Sequence, residues 1–331
     1  MRSLNRAIAV TVGLGALAAA ALVVCPMIGL TTITPWRMAA QEELRFIFWS
    51  IRVPRVLSAF CAGGVLAVAG MIYQALFRNP LADPYTLGVS SGASLGAALC
   101  IVAGAGGSVL GLSVVTLGAF AGALGAIAVV YCFAWSREAN STTLLLAGVI
   151  VATLCSGCIM FIHFVGGVQT SFRILRWIMG GVDGVSMQMF LSLLVPVVLF
   201  LCCVSVMLPR LDLFLTGDSI AHSRGVNVRA SRGVLIAVTA LAVGGVVAVC
   251  GPIGFVGIIA PHVCRLVMPG VRHRLLAVGS FLCGGSFLVV ADALARSIAP
   301  PAEVPVGIIT ALAGGPFFLL LLLRQKHRLL M

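Results

Sequence analysis

Asp292, Arg296 and Glu303 lie close together late in this chain, and Arg52 and Arg55 lie close together early in it. Carboxylates and guanidiniums held at mid-depth in an apolar protein can relay protons or bind ions. Here they fall toward the ends of apolar runs, as do Arg265 and His163. No charged pair occupies the middle of a run. That argues against an ion-coupled secondary transporter, the alternative reading of the chain. It argues equally against a hydrolase, which needs a Ser, His and carboxylate set or metal ligands brought together. His262 follows Pro261 in a Gly- and Pro-rich stretch and reads as a structural hydrogen-bonding group. Cys155 and Cys158 form a CxxC inside an apolar run, without the second ligand pair a zinc site needs. No catalytic residue and no metal site is expected.

Nucleotide chemistry is excluded by one residue type. The chain has a single lysine, Lys326, in the tail RQKHRLL, so it has no GxxxxGK[ST] phosphate loop. If ATP drives this protein, the ATP and its Mg sit on another polypeptide.

The elements that must position these residues follow from composition. The 331 residues are 61% hydrophobic and 9% charged, with a mean hydropathy of +1.16. Soluble domains average about 25% charged. Such a chain has lipid as its solvent, and its apolar runs do not alternate as barrel strands do. The expected fold is all-α: a polytopic membrane protein, one domain over 1–331, with about ten helices. Windows of roughly 20 apolar residues place the spans near 7–33, 55–77, 87–104, 108–135, 142–165, 187–208, 233–250, 253–268, 275–298 and 305–323. The first is too long for a signal-peptide core and is expected to stay as a helix. With both termini inside, fourteen Lys and Arg fall on the inner side and seven on the outer, which supports that orientation. The net charge of +12 is scattered in short clusters between spans, with no basic patch on a soluble fold, so no nucleic-acid partner is expected. Arg52 and Arg55 break the charge rule locally by lying outside.

Three patterns stand out. Gly88, Gly92 and Gly96, then Gly118, Gly122 and Ala126, then Gly63 and Ala67, are small residues at helical spacing that let helices approach closely. The stretch FRNPLADPYTLGVSSG at 77–92 breaks the apolar pattern: Pro80 and Pro84 stop a helix, and Asn79 and Asp83 suit turns. The longest polar loop, about 210–232, contains TGDSIAHSRGVNV. Asp218 or Ser219 can cap a helix start and Gly225 suits the left-handed position after its end, so a short inner-side helix over 219–224 is expected there, fit to dock a cytoplasmic partner.

Several long blocks, in order from Ile51 to Arg324, resemble one family. They include RVPRVLSAFCAGGVLAVAGMIYQALFRNPLADPYTLGVSSGASLGA, LLLAGV, RWIMGG, TGDSIAHSRGVNV, GPIGFVGIIAPHVCRL, ADALAR and PPAEVPVGIITALAGGPFFLLLL. The chain is similar to permeases of the type II ABC importers for iron-siderophores, haem or vitamin B12, the FecCD and B12-importer permeases. The resemblance implies ten helices per subunit and a bacterial inner (cytoplasmic) membrane location. It implies a second copy of the chain, two cytoplasmic ATPase subunits, a periplasmic or lipid-anchored binding protein and a metal-chelate substrate. It implies that Arg52, Arg55 and Arg296 meet acidic residues of the binding protein. It implies that Gly217, Asp218, Ser219, Ala221, Gly225 and Val226 belong to the helix that couples to the ATPase, although Arg224 stands where the family often has Leu. Ser141 and Thr142 match small polar residues that narrow the inner end of the pathway. NPLADP becomes the inner-side reversal between the second and third spans.

Overall fold

The computed structural model describes residues 2–29, 32–109, 111–135, 141–214 and 218–329. Its helices are α1 (Arg2–Val24), α2 (Pro35–Ala40), α3 (Glu42–Ile47), α4 (Val53–Leu76), α5 (Val89–Val102), α6 (Val114–Trp135), α7 (Ser141–Val165), α8 (Gly167–Ile178), α9 (Met187–Phe214), α10 (Asp218–Ser223), α11 (Val228–Cys250), α12 (Val256–Val267), α13 (His273–Ile298) and α14 (Val306–Leu329). The all-α class follows, with one two-stranded ribbon, β1 (Ser108–Val109) and β2 (Leu112–Ser113), antiparallel with Ser108 opposite Ser113. Among the described residues, seven helical segments are long and apolar enough to cross a membrane. They make the chain a multi-pass membrane protein. Three shorter apolar helices, at Val89–Val102, Val256–Val267 and Val306–Leu321, occupy the remaining expected spans.

Backbone breaks set the differences from the expected boundaries. The fourth expected span, 108–135, becomes helical only at Val114, after the ribbon. The second expected span starts too late: helical backbone runs from Glu42 through a π-helical turn at Phe48–Arg52 into α4, making one 35-residue apolar segment, Glu42–Leu76. Hydropathy windows stop at charged residues, and Arg52 and Arg55 broke this one. The sequence reading also passed over α8, whose apolar and polar residues alternate at helical period and so dilute any window average.

α4 is the hub, with nearly every residue buried. It packs on α13, α12, α9 and α11. Small residues make this possible. A Cβ built on Gly63 would lie 2.3 Å from the Gly284 carbonyl oxygen, and one on Gly284 would lie 2.5 Å from the Ala67 Cβ. The same logic joins α5 to α6: Cβ atoms on Gly92 and Gly96 would lie 2.4 and 2.1 Å from the Gly122 and Gly118 oxygens. All three small-residue faces therefore bring backbones into contact, as expected of helices whose association in lipid depends on close packing.

The 77–92 stretch is a tight reversal. Asn79 Oδ1 accepts from the Leu81 amide, and Asp83 Oδ1 accepts from the Tyr85 amide at 2.8 Å, capping a 3-10 turn at Pro84–Leu87. Gly88, at φ +78°, redirects the chain into α5. Burial pushes the Asp83 carboxyl up to about 6, against the lowering effect of the Tyr85 amide.

Candidate functional site

Two polar clusters sit at opposite ends of the antiparallel α4–α13 pair. The first is built from the start of α4 and the end of α13. Arg55 Nε donates to Asp292 Oδ1 at 2.9 Å and Arg55 Nη1 to Glu303 Oε2 at 2.7 Å, with Nη2 2.8 Å from Asp292 Oδ1. One turn beyond Asp292, Arg296 places Nε 3.2 Å from Asp292 Oδ2 and donates to the carbonyls of Ile28 at 2.8 Å and Cys25 at 3.2 Å. Arg52 Nη1 donates to the carbonyls of Pro26 and Met27 at 3.1 and 3.3 Å. The bend after α1 is thereby held by two guanidiniums. Gly29 leaves them room, since a Cβ there would sit 3.0 Å from Arg52 Nη2.

In this geometry little of the three arginines is offered to solvent. Arg52, Arg55 and Arg296 are 8%, 7% and 4% exposed, and Asp292 is fully buried. The reason is the early start of the α4 helix. Arg52 and Arg55 stand on a helical shoulder against α13 and the bend, and Arg296 stands in the last turn of α13, none of them in a surface loop. They hold that end of the bundle together, and Asp292 and Glu303, noticed in sequence only as a local cluster, are the partners that make this possible.

The second cluster surrounds α10. α9 runs to Phe214, beyond the expected end near 208, and α10 forms from Asp218 to Ser223. Gly217 lies outside the described residues; Asp218 and Ser219 supply the first turn of α10. Ala221 is fully buried. Gly225 takes φ +78°; its amide bonds to the His222 carbonyl at 2.9 Å and the Val226 amide to the Ala221 carbonyl at 3.1 Å. This paired arrangement around a left-handed glycine is the Schellman ending, with Arg224 as the last helical neighbour. Asn227 then caps α11, its Oδ1 accepting from the Ala230 amide at 3.0 Å. Asp218–Ser223 is thus a separate short helix between two long ones, ending before Gly225.

Ser141 and Thr142 open α7, with Thr142 exposed. They are not joined to α10 by any described contact. About one and a half turns on, Gly148 packs on the Pro84–Leu87 turn: a Cβ there would lie 2.1 Å from the Thr86 oxygen. His262 does not make the expected hydrogen bond through Nε2, which is buried without a partner among the described residues; its ring packs edge-on against Phe317 at 6.0 Å.

A cavity of about 390 Å³ opens between α5, α6, α8 and the end of α11. Its lining includes Thr116, Arg173, Arg176, Trp177, Asp183 and Cys250. Arg176 and Asp183 form an exposed ion pair at 2.8 Å. The block RWIMGG marked this place in the sequence without revealing the cavity. Among the described residues no three His, Cys, Asp or Glu side chains gather to hold a metal.

The architecture has relatives. The model of the FecCD transport family matches residues 16–324. The chain is 39% identical over 300 residues to the hemin transport system permease protein HmuU of Yersinia pestis, covering 89% of this chain and 88% of that protein. It is 40% identical over 315 residues to the cobalamin import system permease protein BtuC of Halobacterium salinarum, covering 92% and 81%. A solved structure described as an inward-facing metal-chelate type ABC transporter superposes with a TM-score of 0.86 at 28% identity, over 95% of this chain and 98% of that one.

Proposed function

The chain belongs to the FecCD transport family, permease subunits of ABC import systems, and from that premise we propose that it passes a metal chelate into the cytoplasm by alternating access driven by separate ATPase subunits. The observation that carries this reading is α10: a short helix with a Schellman ending, set between two long apolar helices, at the end of the α4–α13 pair opposite to the arginine cluster. A short helix set between two long ones and ended by a left-handed glycine suits docking into a moving partner. Two copies of the chain enclose the pathway in the bacterial inner membrane, with both termini on the cytoplasmic side. One ATPase subunit meets each α10, through the Gly217–Val226 segment, and supplies the ATP and Mg that this chain does not bind. A periplasmic or lipid-anchored binding protein docks over the opposite end. Arg52, Arg55 and Arg296 serve that docking by keeping the face in shape, because their charges are already committed to Asp292, Glu303 and backbone carbonyls. Ser141 and Thr142 narrow the inner mouth.

The substrate is an iron-siderophore, haem or a corrinoid; the relatives are named for hemin and for cobalamin, and the structural neighbour for a metal chelate. Uptake of labelled cyanocobalamin, haemin and a ferric siderophore, followed side by side in a host lacking this gene, tests the assignment. Loss of one identifies the cargo. Retention of all three, in a host shown to have no second importer for them, refutes the metal-chelate reading.

A further inference from the structure

The last turn of α9, which precedes α10, is bonded to the start of α13 and to the residue just past α4. Asp212 on α9 reaches the start of α13: its Oδ1 accepts from the backbone amide of His273 at 3.2 Å and also meets His273 Nδ1. The first amides of a helix have no partner within it, and Arg272, at the N-cap of α13, makes no side-chain capping bond. The cap of α13 therefore comes from α9. A carboxylate there also faces the positive end of the helix dipole. On the other side, Arg78, just past α4, donates from Nη2 to the Phe214 carbonyl at 2.9 Å. That carbonyl is one of the last four of α9, which lack helical partners, and a cation there suits the dipole's negative end. Leu211 and Phe214 are buried beneath these contacts.

α4 and α13 are the two helices tied here, and they are also the two joined by the Gly63–Gly284 approach and, at their far end, by Arg55 and Asp292. At about 1.5 Å per residue, the 26 residues of α13 span about 39 Å. One rigid pair thus carries a bond to the base of α10 at one end and the arginine cluster at the other. We infer that Asp212 is a positioning residue, which through His273 transmits the displacement of α10 to α13 and so to the opposite face of the protein. This rests on the proposed role of α10. Neither the Gly217–Val226 segment nor the arginines can serve as this link alone, because neither joins α9 to α13.

The test uses the full assembly, the permease with its ATPase and binding proteins, in proteoliposomes. The readout is transported substrate per ATP hydrolysed, with whichever of cyanocobalamin, haemin or ferric siderophore the uptake experiment selects. Asp212→Ala removes both the cap and the ring contact, and the ratio is expected to fall about tenfold, the scale of losing one helix-capping carboxylate. Asp212→Asn keeps an oxygen for the His273 amide and is expected to stay within about threefold of the wild type. A structural defect alone would lower the amount of assembled transporter and leave the ratio unchanged. If Asp212→Ala does not assemble, His273→Gln, which keeps the capped amide and loses the ring, takes its place with an expected fall of about threefold. A ratio equal to the wild type in Asp212→Ala, or in His273→Gln where that variant takes its place, overturns the inference. A wild-type assembly that hydrolyses ATP without moving any of the three substrates overturns the proposed function, and the inference with it.

Discussion

Asp292→Asn tests the arginine cluster most directly. The substitution keeps the side chain's shape and one acceptor oxygen but removes its charge. In the native protein that carboxylate is fully buried and faces two guanidiniums, Arg55 at 2.8 and 2.9 Å and Arg296 at 3.2 Å. Without it, Arg55 keeps only Glu303, whose side chain is 35% exposed, and Arg296 keeps only three backbone carbonyls, those of Cys25, Ile28 and residue 292 itself. Breaking a buried ion pair by removing one partner costs about 3–5 kcal/mol, because the other charge stays buried and uncompensated. At roughly 2–4 °C per kcal/mol for a chain of this size, the apparent melting temperature in detergent should fall by roughly 6–20 °C. Thermal unfolding followed by tryptophan fluorescence reads this. A triple replacement, Arg55→Met with Asp292→Leu and Arg296→Met, removes the stranded charges and should recover more than half of the loss. A shift in Asp292→Asn below about 2 °C would show that the carboxylate is not compensating these arginines, and the account of the cluster would fall.

Three further outcomes follow from the same geometry. Gly70→Val should destabilise the protein by at least about 3 kcal/mol, since even a Cβ at Gly70 would lie 1.8 Å from the Gly257 oxygen, whereas Gly125→Val, with nothing within 4 Å, should be near neutral; detergent melting of the pair would decide it. Gly225→Val places a branched side chain at φ +78° and should cost α10 about 1–2 kcal/mol of local order, seen as weaker co-purification of the ATPase while membrane insertion persists; undiminished co-purification would count against docking there. Asp83, with its carboxyl pushed up to about 6, binds a proton more tightly folded than unfolded, so stability should fall as pH rises from about 4 to 6. Its partial exposure screens part of the penalty and leaves about 1–2 kcal/mol. Asp83→Asn, which can still accept from the Tyr85 amide, should flatten that slope; an unaltered pH profile of melting would contradict the assignment.

Much of the architecture was legible along the chain. Runs of apolar residues near 20 long announce helices in lipid because a bilayer core of about 30 Å demands that length. The small-residue faces at Gly63, Gly92 and Gly118 announced close helix approach in their spacing, without naming the partner of each. Pro80, Pro84 and Asp83 marked a reversal, and Gly225 marked the end of α10, because φ +78° is a backbone state that glycine reaches without cost. These are local properties, fixed by neighbours within a turn or two.

What only the tertiary structure decided are the relations between distant residues. Arg55 and Asp292 are 237 positions apart, and Asp212 and His273 are 61 apart. Nothing in either neighbourhood announces the other. Charge in sequence looks the same whether it faces water or a buried carboxylate, so the inward pairing of the three arginines could not be read along the chain. Asp212 looked like one more polar residue of a loop, and became the cap of another helix only once α9 ran on to Phe214. Burial belongs to the assembled fold: it is set by which helices meet, and that choice depends on the packing of the whole bundle.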